Sequence, residues 1–109
     1  MSRYFPTASE RARHTIFPGV HIQTCHTDRL MVSVVDLEPR SIVEEHSHPH
    51  DQVGMLLAGK ARFFIGGEEK LLQAGDVYCI PGNIKHKVIV LDEPARAIDI
   101  FTPLREEYL

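Results

Sequence analysis

Lys60-Ala61-Arg62-Phe63-Phe64-Ile65-Gly66-Gly67-Glu68-Glu69-Lys70-Leu71-Leu72-Gln73 reads as a β-hairpin, and that reading decides the fold class. Two successive glycines accept positive φ at both central positions of a two-residue turn. The runs beside them are short and rich in apolar side chains, as strands are. Outward from the hairpin the pattern repeats. Strands are expected at Met31–Leu37, Gln52–Leu57, Lys60–Ile65, Lys70–Gln73, Val77–Ile80, His86–Leu91 and Arg96–Phe101. Ala58-Gly59, Ala74-Gly75-Asp76 and Asp92-Glu93-Pro94 supply the turns between them. Helical periodicity is nearly absent. The chain is therefore expected to be all-β, an antiparallel sandwich or barrel.

At 109 residues there is material for one core and one domain. Residues 31–109 would form the barrel and a C-terminal tail, with residues 1–30 as an N-terminal segment. In that segment Ser9–Arg13 suggests a helical turn. Phe17-Pro18-Gly19 leading into Val20-His21-Ile22 suggests an edge strand, suited to covering an edge or pairing with a second subunit. A homodimer is the expectation. The net charge of -3 argues against nucleic acid or an anionic membrane as partner. No apolar stretch is long enough to span a bilayer, and Met1-Ser2-Arg3-Tyr4-Phe5-Pro6 does not resemble a signal peptide, so the cytoplasm is the expected compartment. Cys25 and Cys79 form no C-x-x-C pair. Two buried or half-buried free thiols in a reducing compartment is the first reading, and a disulfide between them the alternative.

The chemistry concentrates in His46-Ser47-His48-Pro49-His50-Asp51-Gln52 and in Pro81-Gly82-Asn83-Ile84-Lys85-His86. His46 and His48 stand at i and i+2, so on a strand both rings leave one face. Gln52 adds a neutral oxygen and His86 a third imidazole. Such a set suits a divalent transition metal (zinc, nickel, iron, manganese or copper), and no thiolate is nearby to make it a structural zinc knot. His50 could join the set, support it from behind, or lie at the surface. His14, His21 and His26 have no partner pattern and read as surface residues. Glu44-Glu45 reads as a solvated turn edge. Gly54, inside an apolar strand, marks a bulge, a close approach of ligand to backbone, or packing alone.

These residues resemble the cupins, a family of double-stranded β-helix or jelly-roll barrels. The family's first motif, His-x-His followed by an acid and a glycine, matches His46, His48, Gln52 and Gly59. Its second, Gly-Asp leading to proline and a last histidine, matches Gly75, Asp76, Pro81 and His86. The departure is Gln52, where cupins usually have glutamate. A neutral set leaves the metal its full positive charge for an anionic ligand. A narrower resemblance is to the pectin-degradation cupins of the KdgF family. It rests on the histidine run, on Ile65-Gly66-Gly67-Glu68, and on the ending Asp99-Ile100-Phe101-Thr102-Pro103-Leu104-Arg105-Glu106.

That resemblance implies an enzyme that opens and ketonises 4,5-unsaturated uronates, with an anionic sugar acid as substrate. Such chemistry needs an electrophile, a cation for the carboxylate and a group that moves protons. Asp99 is the candidate proton carrier, Arg105 the candidate carboxylate fork and catalytic partner, and Phe101 a substrate-binding wall. Asp99 alternates with Ile98 and Ile100, so it shares a face with Phe101. If that face lines the barrel, burial should raise its pKa. Asp99 paired with a basic side chain for structure alone, and Arg105 solvated in a tail, are the plain alternatives. Two other functions stand beside this one: a cupin dioxygenase acting on a small organic substrate, and a non-catalytic small-molecule-binding cupin.

Overall fold

The computed structural model describes residues 2–109. A six-stranded antiparallel sheet has the order β1 (Ala12–Phe17), β2 (Val20–His26), β3 (Met31–Leu37), β10 (Ala95–Thr102), β5 (Asp51–Ala58), β8 (Val77–Ile80). A four-stranded antiparallel sheet has the order β4 (Ile42–His46), β9 (His86–Val90), β6 (Lys60–Ile65), β7 (Glu68–Gln73). After β3 the chain changes sheet at every connection except the β6–β7 hairpin, which gives a jelly-roll rather than a meander.

The alternation of side chains explains the core. Along β3 Met31, Ser33, Val35 and Leu37 point inward, and along β10 Ala95, Ala97, Asp99 and Phe101 do. They meet Leu56 from β5 and Tyr78 and Ile80 from β8, with Phe63 and Leu72 arriving from the opposing sheet. Each large aliphatic group so buried contributes about 1.5–3 kcal/mol. The Gly66-Gly67 turn has φ of 56° and 87°, as the two-residue hairpin requires. Gly59 is constrained by space as well as by its φ of 78°, because a Cβ there would strike the carbonyl oxygen of Pro94.

Several sequence expectations need correction. The helical turn is shorter, a 3-10 turn at Ala8–Glu10 in which the Thr7 N–H donates to Glu10 Oε1 at 3.1 Å. Strand β1 starts at Ala12 and takes the sheet edge, while β2 lies between β1 and β3 and sends Val20, Ile22 and Thr24 into the core. Glu44 and Glu45 stand exposed on strand β4, not on a turn; Ile-Val-Glu-Glu-His has no clean alternation, and its pairing with β9 shifts register between Val43 and His46. His21 and His26 are exposed as expected, but His14 is half-buried with its ring 6.1 Å from that of Tyr108. Cys25 and Cys79 are free thiols, Cys25 half-buried as expected but Cys79 exposed, because alternation along β8 turns its neighbours Tyr78 and Ile80 inward. The two cysteines lie on β2 and β8, four strand spacings apart and hence about 19 Å, too far for a disulfide.

Candidate metal centre

His46 ends β4 and His86 begins β9, and the two are partners in register. Their rings lie 4.3 Å apart, centroid to centroid. His48 does not share a strand face with His46, because β4 ends at His46 and the chain turns. The Pro81-Gly82-Asn83 turn brings His48 into place instead. The Asn83 N–H donates to the His48 carbonyl at 2.7 Å, and the Gly82 N–H to Asp51 Oδ1 at 2.8 Å. Only glycine fits at 82, where a Cβ would strike the Pro49 carbonyl oxygen. The second motif thus clamps the first, and the His48 ring comes to 5.0 Å from His86 and 5.6 Å from His46.

The nitrogens of His46, His48 and His86 lie within 4.8 Å of one another, a grouping that suits a metal ion. Each ring faces a backbone carbonyl through Nδ1: His46 to Glu44 at 2.8 Å, His48 to His50 at 3.1 Å, His86 to Ile84 at 2.9 Å. A carbonyl only accepts, so Nδ1 carries the proton and Nε2 a lone pair. The His48 Nε2 then faces Gln52 Oε1 at 3.1 Å. The Gln52 amide nitrogen donates to Asp99, which fixes the oxygen toward His48. Two acceptors face each other with no proton between them, and the buried His86 Nε2 has no partner at all. A cation satisfies all of these groups together. A proton satisfies one. The donor set of three imidazoles and one amide oxygen therefore fits a first-row divalent ion without selecting one.

Burial, with Arg105 and His86 nearby, lowers the His48 pKa to about 4, and burial also lowers that of His86. Both are neutral, metal-ready imidazoles at ordinary pH. Asp99 is pushed up to about 6 by burial, against the opposing hydrogen bonds from Tyr78 and Gln52 and the charge of Arg105. The Tyr78 hydroxyl donates to Asp99 Oδ1 at 2.6 Å, and its own pKa is raised by burial and by that carboxylate. Tyr78, Gly54 and Asp99 are neighbours across β8, β5 and β10. The phenol reaches Asp99 over the bare backbone of Gly54, where a Cβ would come within 2.6 Å of the Tyr78 ring. Gly54 thus allows two side chains to approach. Tyr78 escaped sequence reading because only strand order makes it a neighbour of Asp99.

Arg105 is buried, not a solvated tail residue. Its guanidinium lies 4.4 Å from the Tyr108 ring centre and 5.3 Å from that of Phe101, and Glu107 holds it at 2.6 Å. The Phe101 ring stands edge-on to His48 at 5.8 Å. His46, Gln52, His86, Asp99, Arg105 and Ser33 border one cavity of about 60 Å³, and the Ser33 hydroxyl has no partner. His50 stays outside the histidine trio and supports His48 through its carbonyl.

A cupin domain model matches residues 33–101, which include the whole histidine cluster. The pectin degradation protein KdgF of Dickeya dadantii is 36% identical over 84 residues, 76% of either chain. The chain is a KdgF-like cupin. The structure of KdgF from a Halomonas species superposes with a TM-score of 0.86 at 28% identity, covering 96% of this cupin and 97% of that chain. An RmlC-like cupin from Shewanella frigidimarina gives 0.89 at 25% identity, covering 99% and 97%.

Asp99 in this cupin has a consequence for stability. Its folded pKa is raised from 3.8 to about 6, so the stability it permits is intact below pH 4 and lost as pH rises through 6. Asp99→Asn removes that loss. Denaturation of the chelator-treated protein should show the variant gaining on the wild type by up to about 3 kcal/mol between pH 4 and 6, with no further gain above. A pH-independent difference would mean that the carboxyl is not desolvated.

Proposed function

We propose that this cupin is a metal-dependent enzyme that opens and ketonises 4,5-unsaturated uronates, working as one domain. The observation that carries the proposal is the joining of three groups at one cavity: the histidine cluster, the buried Asp99 and the stacked Arg105. The relative named for pectin degradation supports the substrate class.

The reaction is an isomerisation. The hemiacetal hydroxyl loses its proton, the ring C–O bond breaks, and an aldehyde and an enol result. The enol carbon then gains a proton while the enol oxygen loses one, leaving a ketone. A divalent ion held by His46, His48, Gln52 and His86 would supply a Lewis acid for the substrate oxygens. Arg105 binds the carboxylate, its plane already set by Phe101 and Tyr108 and its position by Glu107. Asp99, tethered by Tyr78 and with a pKa near neutrality, carries the proton to carbon. Phe101 closes one wall and helps keep water from the enol.

The test is loss of the conjugated ultraviolet absorbance of a 4,5-unsaturated uronate monosaccharide, with protein as purified, chelator-stripped and metal-reloaded. Acceleration over the spontaneous reaction that disappears on stripping and returns on reloading is the expected result. No acceleration by folded, metal-loaded protein would remove this substrate class and turn attention to oxygen uptake.

A further inference from the structure

Strand register divides the inward face of the six-stranded sheet into rows. Met31, Phe101 and Gln52 make one row, which carries the Gln52 donor. Next to it come Thr24, Ser33, Asp99, Gly54 and Tyr78. The row beyond holds Ile22, Val35 and Ala97, all apolar and buried, and it closes the cavity on that side. Ser33 thus borders the same cavity as the histidines and Arg105, with Asp99 as its register partner. It is the one polar side chain on the inward face of β3, set between Met31 and Val35.

A buried hydroxyl without a partner costs free energy that alanine in its place would not. Other buried hydroxyls of this chain are satisfied. Thr24 donates to the Tyr108 carbonyl at 2.8 Å, Ser41 to the Glu38 carbonyl at 2.7 Å and Tyr78 to Asp99 at 2.6 Å. The Ser33 hydroxyl, in a side chain only 1% exposed, has no partner among the described residues, Asp99 included. We propose that Ser33 recognises a substrate hydroxyl, the one on C3 of the uronate, and so makes the site selective for sugars that carry it. This rests on the uronate reading and deepens it. With the reacting oxygens at the histidine cluster and the carboxylate on Arg105, the hydroxyls on C2 and C3 are the groups of the sugar left to recognise. Asp99 carries its proton to C4, the enol carbon, and C3 is bonded to C4. Directly opposed side chains in a sheet stand about 5 Å apart at Cβ, so a sugar with C4 at Asp99 brings its C3 hydroxyl to Ser33. A serine hydroxyl both donates and accepts, which suits a neutral sugar hydroxyl. Ser33 meets no reacting atom, and its part is to bind and select.

The experiment compares kcat/KM for a 4,5-unsaturated uronate monosaccharide and for its 3-deoxy analogue, in the wild type and in Ser33→Ala matched for metal content. Taking the ratio between the two proteins cancels the intrinsic reactivity of the two sugars. The variant should lose about 3- to 10-fold on the hydroxylated sugar, the worth of one neutral hydrogen bond, through KM more than kcat. On the 3-deoxy sugar the two proteins should agree. Without sugar the variant should melt no lower than the wild type, since it loses only an unpartnered group. Ser33→Cys, close in volume and a weaker hydrogen-bond former, is read in its place if the alanine variant does not fold. Equal losses on both sugars, or none on either, would overturn the proposal and leave Ser33 to packing or to a buried water. A markedly lower melting temperature would overturn it as well, by showing that the hydroxyl is satisfied within the fold. A wild type that converts neither sugar would remove the uronate reading itself, and this assignment with it.

Discussion

Asp99→Ala is expected to slow uronate conversion by about 10²- to 10⁴-fold, the usual range for loss of a positioned proton carrier. The loss should fall on kcat, because in the proposed reaction the carboxyl acts on the enol and does not bind the sugar. Asp99→Asn should behave similarly, since it keeps the shape and removes the exchangeable acid. Arg105→Ala makes a useful contrast. In the proposed reaction its guanidinium, set by two aromatic faces and Glu107, binds the substrate carboxylate, so its removal should raise KM at least as much as it lowers kcat. Metal content measured alongside keeps the comparison clean, because Asp99 also accepts a hydrogen bond from Gln52. If Asp99→Ala with its metal in place turned over at the wild-type rate, Asp99 would be a structural acid held by Tyr78 and Gln52.

His48→Ala is expected to weaken zinc binding by more than about 100-fold, beyond the 10- to 100-fold cost of losing a group that merely orients a ligand. The reason lies in the pairing of acceptors. His48 Nε2 and Gln52 Oε1 face each other at 3.1 Å, and the His86 Nε2 is buried without a partner, so a cation resolves all three at once. Removing His48 leaves one imidazole partner for His46 and frees Gln52 to rotate. Titration calorimetry with zinc on chelator-stripped protein reads the effect directly. Because burial already keeps His48 and His86 neutral, little proton release should accompany binding at pH 7. Unchanged affinity in the variant would show that the three imidazoles are not the site.

Much of this molecule could be read along the chain. The β6–β7 hairpin follows from two adjacent glycines, a local demand on φ that no distant contact alters. Strands β3 and β10 follow from alternation, because each buries one face continuously. Strands β1 and β4 could not be read. β1 is an edge strand whose Arg13-His14-Thr15 centre is polar, and the run Ile42-Val43-Glu44-Glu45-His46 is held in place by β9 rather than by its own pattern. His14 shows the same limit. Its sequence neighbours carry no sign that Tyr108, from the far end of the chain, lies against it.

By sequence alone, then, the class of fold, the cupin motifs and the residue types of the histidine cluster were determined, because these depend on residue type and short spacing. Tertiary structure decided how the donors meet. His46 and His48 converge through a turn clamped by Gly82 and Asn83 and not through strand periodicity. Asp99 acquires its partner across a glycine from a strand twenty-one residues away in sequence. Arg105 is drawn out of solvent by two aromatic rings. Desolvation and strand order produce these effects, and both are properties of the assembled sheets, which no local stretch of chain contains.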